Sequence, residues 1–334
     1  MSRLRTVSPA SRGWTRRRTG RGFRYLDSSG AALDAVSVAR IKALVIPPAW
    51  QDVWICPYPN GHIQAVGTDA RGRRQYLYHP DWRVKRDLAK HDRVLQVARR
   101  LPTARAQVAE HLGLDGMPLE RALATAFYLL DLGYFRIGSD SYTTENGSYG
   151  LTTLQRRHVQ RHRGRLLFEF VAKSGIAQHI EIRHPGVLSS VETMRRRRGS
   201  DEVLLAYRAG RSWSRIDAAD VNEYLKDLLG DEMTAKDFRT WHGTVHAAAA
   251  LGRLRADTER ARKRAIVAAM REVADHLGNT PAVARSSYVD GRVIDLYSSG
   301  ASIAQAIARI DRWPADDSRR QEALERAVLR LLKT

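Results

Sequence analysis

Several short segments of the sequence carry the residue types that could break and rejoin a phosphodiester without a metal. Phosphoryl transfer needs an in-line nucleophile, positive charge beside the non-bridging oxygens, and a proton for the leaving oxygen. Tyrosine can be the nucleophile, arginine stays charged and donates paired hydrogen bonds, and a lysine near other cations can act as the acid. Such residues occur in segments 133–138 (GYFRIG), 170–175 (FVAKSG), 234–241 (TAKDFRTW), 277–283 (LGNTPAV) and 286–289 (SSYV).

The sequence lacks the signatures of the common metal-dependent and nucleotide-dependent reactions. It contains no GxxxxGK[ST] loop for nucleotide phosphates and no HExxH motif or Cys/His array for zinc. The acidic pairs at 201–202 and 316–317 stand alone in polar surroundings, which is typical of solvated surface. We therefore expect no metal ion and no other cofactor.

The charge balance of the chain predicts a polyanionic partner. Its 334 residues include 56 Lys and Arg against 36 Asp and Glu, a formal net charge of +20. Nucleic acid, an anionic membrane or an acidic protein would each fit this balance. No window has the roughly 18 to 20 apolar residues of a spanning helix, no secretory signal is visible, and Cys56 is the single cysteine. These features favour an intracellular protein that binds nucleic acid rather than a membrane.

The first part of the chain is predicted to be an arginine-rich tail followed by a small β-rich domain. The tail, residues 1–22, could lie along phosphates or remain a solvated arm, and the sequence leaves both open. The domain spans 23–85, where β-favouring runs such as 53–56 and 75–78 are bounded by turn formers. A short helix is expected near 37–44.

From residue 86 to residue 334 the pattern predicts a larger, mainly α-helical domain. We place the interdomain linker near 83–91, where the sequence is charged and helix-permissive. One stretch, 165–183, instead predicts a β-hairpin with Lys173 at its turn. Helical spacing of apolar residues is clearest at 119–130, 244–277 and 302–332.

Taken together and in order, these segments resemble the poxvirus and bacterial type IB DNA topoisomerases. The segments 46–50 (IPPAW), 61–65 (GHIQA) and 72–79 (GRRQYLYH) of the β-rich part also look like that family. The resemblance covers roughly residues 20 to 300, and both domains agree. It implies an α+β fold in which a small, mostly β N-terminal domain joins a catalytic domain of the tyrosine recombinase and type IB topoisomerase kind.

Carried over position by position, the resemblance assigns five catalytic residues. Arg136 and Arg239 would clamp the scissile phosphate in its transition state. Lys173 would protonate the departing 5′ oxygen, and Asn279 would donate to a non-bridging oxygen. Tyr288 would attack to give a 3′-phosphotyrosyl enzyme.

The resemblance also implies how DNA is held. Gln75, Tyr76 and Tyr78 would contact it from the N-terminal domain, while Tyr142 and Lys236 would support the site. A monomer would close as a clamp around duplex DNA and relax positive and negative supercoils by strand swivelling, without ATP or metal. The expected location is the cytoplasm, associated with the nucleoid.

Two positions depart from the family pattern. The poxvirus enzymes have His where this chain has Asn279, and bacterial relatives look more like this chain. Because an asparagine donates hydrogen bonds but does not titrate near neutrality, its role would be limited to stabilising the oxyanion. Ala172 stands where much of the family has Gly.

Other interpretations of the same residues stay open. Tyr288 could be an ordinary half-buried aromatic, and Arg136 and Arg239 could pair with Asp140 and Asp237. Lys173 could be a soluble hairpin tip, and the segment around Asn279 could be a turn or a cap without chemistry.

Two other functions also compete with the topoisomerase. A tyrosine site-specific recombinase uses a similar set of residues, but recombinases usually have His three residues before the second arginine, where this chain has Lys236. The other alternative is a non-catalytic basic DNA-binding protein, which the charge alone would support.

Overall fold

The computed structural model describes residues 3–139, 143, 147–314, 317 and 319–333. The chain divides into two compact units, Met1–Lys90 and His91–Thr334. The first unit is built on a β-sheet and the second is mostly helical, so the predicted α+β class is confirmed. The predicted closure of a clamp around DNA stays a prediction.

The first unit is a five-stranded antiparallel sheet in the order β2-β1-β3-β4-β5. Helix α1 covers one face, and the core between them contains Ile41, Val53, Ile55 and Ala65. The elements are β1 (Trp14–Thr19), β2 (Gly22–Leu26), α1 (Ala35–Ala43), β3 (Gln51–Ile55), β4 (Ile63–Thr68) and β5 (Arg74–Tyr78).

Strand β1 corrects the predicted basic tail over residues 1–22. It pairs with both β2 and β3, so the stretch from Trp14 to Thr19 belongs to the sheet. Arg16 shows why the charge pattern misled: its guanidinium donates to the carbonyls of Ile46, Pro47 and Trp50 at 3.2, 2.9 and 2.7 Å. An arginine can therefore bury its aliphatic part and hold a loop by hydrogen bonds, although its sequence context suggests a solvated charge.

Helix α2 (Pro80–Leu112) contains the boundary between the two units. The residues predicted as an interdomain linker, 83–91, are therefore helical. The lysines and arginines of this stretch favour a helix as well as a linker, which is why composition alone did not separate the two.

The second unit is organised around the helix α6 (Ala235–Arg253), whose middle is buried on all sides. Its Trp241 is fully buried, and Phe238 packs edge-to-face on Phe127 with ring centroids 5.2 Å apart. The predicted helical stretch 244–277 is two helices, and 302–332 also contains two. The helices after α2 are α3 (Leu119–Gly133), α4 (Pro185–Arg195), α5 (Ala218–Leu229), α6 (Ala235–Arg253), α7 (Glu259–Leu277), α8 (Pro281–Ser287), α9 (Gly291–Ser298), α10 (Ala304–Ile310) and α11 (Arg319–Leu331).

Two small sheets interrupt the helices of the second unit. Strands β6 (Val159–His162), β7 (Arg165–Ala172) and β8 (Ile176–Ile182) form one antiparallel sheet, which confirms the predicted hairpin with Lys173 at its turn. Ser174 takes a left-handed conformation there, with φ of 68°. Strand β6 and the hairpin of β9 (Ala206–Ala209) and β10 (Ser212–Arg215) were not predicted, because short, polar strands give little alternation.

The residues that the structure describes include no helix long and apolar enough to cross a membrane.

Candidate active site

Tyr288 directly follows the short helix α8, and helix α6 fixes its backbone. Its amide donates to the carbonyl of Ala284 at 3.0 Å, closing the last turn of α8. Thr244 Oγ1 lies 3.3 Å from the carbonyl oxygen of Tyr288 and accepts from the amide of Asp290 at 3.0 Å. Gly243 allows this close approach, because a Cβ there would lie 3.0 Å from the Tyr288 carbonyl oxygen and 3.2 Å from its Cβ.

Arg239 reaches the tyrosine from α6 and is only 4% exposed. Its Cζ lies 5.0 Å from the centroid of the Tyr288 ring. Its guanidinium donates to the carbonyl of Tyr134, just after α3, and to that of Leu277, at the end of α7, the latter at 2.6 Å. Tyr134 adopts a left-handed conformation with φ of 53°, so the chain turns sharply before Arg136.

Arg136 and Asn279 form the other half of the cluster. Arg136 Nη2 donates to Asn279 Oδ1 at 2.7 Å and to the carbonyl of Gly278 at 3.0 Å. Helix α7 ends at Gly278 with φ of 59°, and the amide of Asn279 then donates back to Ala274 at 2.9 Å. This left-handed C-terminal turn is one that glycine favours, and it turns the carbonyl of Gly278 towards Arg136.

Two buried donors in the cluster have no hydrogen-bond partner among the residues that the structure describes. They are Nε of Arg239 and Nδ2 of Asn279. A buried N–H without a partner costs about 1 to 3 kcal/mol, so a ligand that accepts from these donors would recover that cost. Both donors suit the oxygens of a phosphate.

The positive charges change the acidity of the tyrosine. Burial alone would raise the pKa of Tyr288, but Arg239, by its charge and a hydrogen bond, together with Arg136 and Lys236, lowers it below the ordinary value. Burial, and then repulsion from Arg136, lowers the pKa of Arg239 to about 10. The site therefore makes Tyr288 more acidic than an ordinary tyrosine and still keeps Arg239 charged near neutrality.

Lys173 lies at the exposed tip of the β7–β8 hairpin. Ala172 and Gln178 of that hairpin line a small cavity together with Arg136 and Arg239. The structure thus brings Arg136, Arg239, Asn279 and Tyr288 into one cluster and holds the lysine on an adjacent turn. Lys236 is exposed on the first turn of α6.

The alternative pairing of Arg239 with Asp237 is not what the structure shows. Asp237 Oδ1 instead lies 2.8 Å from Arg93 Nη2, and its other oxygen accepts from the amide and hydroxyl of Thr234 at 3.0 Å each. Asp237 therefore caps α6 and joins it to α2. Asp140, the partner considered for Arg136, lies outside the described residues.

The N-terminal residues expected to contact DNA lie on different faces of β5. Tyr76 and Tyr78 share the exposed face, with nearly parallel rings whose centroids are 6.0 Å apart. Gln75 points to the other face, where its amide donates to Asp69 Oδ2 at 2.9 Å. Tyr142 lies outside the described residues.

Sequence reasoning missed three supporting positions, Tyr134, Gly243 and Thr244. Only Tyr134 carried a signal, since it follows Gly133 at the end of a predicted helix. In the part of the chain that the structure describes, no three His, Cys, Asp or Glu side chains are grouped as they would be around a metal ion.

Comparisons with known proteins match both parts of the chain. A profile described as eukaryotic DNA topoisomerase I, catalytic core, matches residues 79–312, and one described as bacterial DNA topoisomerase IB, N-terminal domain, matches residues 22–69. The DNA topoisomerase 1B of Acanthamoeba polyphaga mimivirus is 28% identical over 286 residues, which is 83% of this chain and 84% of the viral protein. DNA topoisomerase 1 of rabbit fibroma virus (strain Kasza) is 21% identical over 277 residues, 81% of this chain and 84% of the relative.

Proposed function

The chain belongs to the type IB DNA topoisomerase family, and we propose that it relaxes positively and negatively supercoiled duplex DNA through a covalent 3′-phosphotyrosyl intermediate at Tyr288. One strand is cut, the free 5′ end swivels, and the same tyrosyl linkage is resealed. Torsional energy stored in the DNA drives the change, so neither ATP nor a metal ion is required. The observation that carries the proposal is the cluster of Arg136, Arg239 and Asn279 around a tyrosine, with two buried donors left unpartnered.

The chemical step conserves the phosphodiester energy. The Tyr288 phenolate, whose proton has passed to water, forms a bond to phosphorus as the bond to the 5′ oxygen breaks, and Lys173 gives a proton to that departing oxygen. Religation is the reverse: the 5′ hydroxyl attacks, its proton returns to the lysine, and the tyrosine leaves as a phenolate. The lowered pKa of Tyr288 assists both directions, since it increases the fraction of nucleophilic phenolate before cleavage and makes that phenolate a better leaving group in religation.

The two arginines and the asparagine compensate the charge that builds on the non-bridging oxygens. Arg239 offers Nε and Asn279 offers Nδ2, each already desolvated, so little reorganisation is needed when the transition state forms. Arg136 holds Asn279 in place through its 2.7 Å bond and adds a second positive charge. Removal of one such donor typically costs about 10²- to 10³-fold in rate.

The proposed contacts are mostly to the sugar–phosphate backbone of the DNA. Tyr76 and Tyr78 present a paired aromatic and hydroxyl surface from the first unit, and Gln75, held by Asp69, has a supporting place behind them. Tyr142 and Lys236 are proposed to support the site. Action as a monomer, and a cytoplasmic location with the nucleoid, are parts of the same proposal.

The first experiment is relaxation of negatively and positively supercoiled plasmid in EDTA without ATP. Wild type is compared with Tyr288→Phe and with the matched control Tyr207→Phe, a partly buried tyrosine elsewhere in the second unit. We expect wild type and Tyr207→Phe to relax both signs and to leave protein on the 3′ end of nicked DNA. Tyr288→Phe should bind DNA without either activity.

Inactivity of pure, folded, DNA-binding wild type would reject the proposal and favour a non-catalytic binding protein. Strand exchange between defined sites would favour the recombinase. Relaxation by Tyr288→Phe at the wild-type rate would remove Tyr288 as the nucleophile.

A further inference from the structure

A buried network of charged groups connects the C-terminal helix α11 to the active-site elements of the second unit. Its centre is Arg105 of α2, whose guanidinium contacts two carboxylates at once. Nη1 and Nη2 donate to Glu325 of α11 at 2.7 and 2.8 Å, and Nε and Nη2 donate to Asp131 of α3 at 2.8 and 2.9 Å. Both carboxylates are only 3% exposed.

His242 continues the network into the active-site helix. It is fully buried on α6, one turn after Arg239, and its Nε2 lies 2.9 Å from Asp131 Oδ1. On its other side Gln321 of α11 places Nε2 3.3 Å from His242 Nδ1, and the same amide donates to Glu325 at 2.9 Å. Helix α11 thus contacts His242 through Gln321 and Arg105 through Glu325, two side chains one turn apart.

The network ends on the residue that anchors Arg239. The ring of His242 packs on the ring of Tyr134, with centroids 4.8 Å apart, and the carbonyl of Tyr134 accepts from Arg239. Asp131 belongs to the last turn of α3, three residues before the left-handed Tyr134 and five before Arg136. A displacement of Asp131 or His242 would therefore move the supports of both arginines.

Stability alone does not explain a network of this kind. Burying charged groups costs several kcal/mol each in desolvation, and well-packed apolar residues often do as well or better. Hydrogen-bonded charges instead fix the relative positions of the side chains that carry them, because each contact holds only over a narrow range of distance and angle. The catalytic-core profile ends at residue 312, before α11, so nothing in the family match assigns α11 a role in the site.

We propose that Gln321 and Glu325 are positioning residues for DNA cleavage, acting through Arg105, Asp131 and His242 on Tyr134 to hold Arg239 and Arg136 at the scissile phosphate. The inference rests on the proposed function. Neither residue of α11 touches the reacting atoms, so their effect appears only in how well the arginines compensate the phosphate charge.

The test measures single-turnover cleavage by Glu325→Gln, which keeps the shape of the side chain and removes its charge. The matched control is Glu322→Gln on the same helix, whose exposed carboxylate pairs only with Arg326 in the described contacts. We expect Glu325→Gln to slow cleavage by about tenfold or more, since a displacement of about 1 Å in a site can cost 10²-fold. The affinity for DNA and the rate of Glu322→Gln should stay within about twofold of wild type.

A DNA substrate with a methylphosphonate at the scissile position separates a positioning defect from a loss of folded enzyme. Its methyl group replaces a charged oxygen, so compensation by the arginines matters much less. A positioning defect should shrink on this substrate, whereas loss of folded enzyme would slow both substrates equally. Gln321→Leu, which keeps every charge of the network, should show the same pattern more weakly and serves as the variant if Glu325→Gln does not fold.

A second measurement does not need activity. With ¹³C-labelled tyrosine, the NMR titration of Tyr288 should move towards the ordinary tyrosine range in Glu325→Gln, because Arg239 no longer lies over the ring, and should not move in Glu322→Gln. Equal losses on the two substrates, or an unchanged Tyr288 titration, would overturn the positioning role. If wild type is inactive but the Tyr288 titration still shifts in Glu325→Gln, the proposed function is rejected, while the coupling of α11 to the arginine cluster is supported.

Discussion

The guanidinium of Arg239 lies over the ring of Tyr288, with its Cζ 5.0 Å from the ring centroid, while its Nη1 and Nη2 donate to the carbonyls of Tyr134 and Leu277. One side chain therefore joins the ends of α3 and α7 to the proposed nucleophile. Since both carbonyls belong to backbone, the position of Arg239 depends on how three helices pack rather than on a partner side chain.

Arg239→Gln should shift the pH dependence of cleavage to higher pH. Arg239 is the main group that lowers the pKa of Tyr288 against the effect of burial, so without it the phenolate forms only at higher pH. At neutral pH we also expect a loss of about 10²- to 10³-fold from missing charge compensation. Single-turnover cleavage between pH 6 and 10 measures both, with Arg264→Gln, an exposed arginine of α7, as control. An unshifted profile would contradict the electrostatic role.

Asn279→Asp should nearly abolish cleavage, whereas Asn279→His should keep part of it. The aspartate loses the donor Nδ2 and brings a negative charge next to the phosphate, while an imidazole can still donate. The histidine variant should also acquire a pH dependence near the histidine pKa that wild type lacks. Cleavage by Asn279→Asp at the wild-type rate would exclude an oxyanion contact by this residue.

Gly243→Ala should slow cleavage by about tenfold or more with little loss of DNA affinity. The new Cβ would lie 3.0 Å from the Tyr288 carbonyl oxygen and 3.2 Å from Leu277 Cδ1, so the tyrosine must shift. Gly291→Ala is the control, because its Cβ would meet nothing within 4 Å. The measurements are the cleavage rates and thermal midpoints of the two variants. Equal cleavage rates would show that the site tolerates the displacement of Tyr288.

Lys173→Ala should be slow on a normal phosphodiester but fast on one with sulfur in place of the 5′ bridging oxygen. A thiolate leaves without a proton, so a missing general acid matters little for that substrate. Lys226→Ala, exposed on α5, should match wild type on both. If Lys173→Ala cleaves the sulfur substrate as slowly as the normal one, Lys173 is not the general acid for the 5′ oxygen.

His246 should make the protein less stable in mild acid. Burial first, and then His276, His242 and Arg253, lower the pKa of His246 from 6.5 to about 3. Between these two pH values His246 binds more protons in the unfolded chain than in the folded protein. Its contribution to the free energy of unfolding is therefore complete above about pH 6.5 and declines as the pH falls. From pH 7 to pH 5 the free energy of unfolding should fall by about 2 kcal/mol through this group.

His246→Gln removes that titration, so its thermal midpoint should fall less than that of wild type between pH 7 and pH 5. The exposed His162→Gln is the control and should keep the wild-type slope. The same slope in all three proteins would show that His246 is not the acid-sensitive group.

Residue types and order were enough to predict which chemistry this protein could perform. A tyrosine, two arginines, a lysine on a hairpin and an asparagine after a helix appear as local motifs, and local motifs are readable because each depends on a few adjacent residues. The hairpin around Lys173 was predicted for the same reason. Strand β1 was missed, because its arginines read as a solvated run, although Arg16 is held by carbonyls of a distant loop.

The sequence by itself determined the family, the α+β class and the residue types available for cleavage. Only the tertiary structure decided which of those side chains meet, and through what supports. Arg239 finds its acceptors 105 and 38 positions away, and Arg105 reaches Glu325 across 220 positions. Such contacts leave no periodic or spacing signal in the chain, because they arise from the packing of helices whose relative placement is set by the whole core.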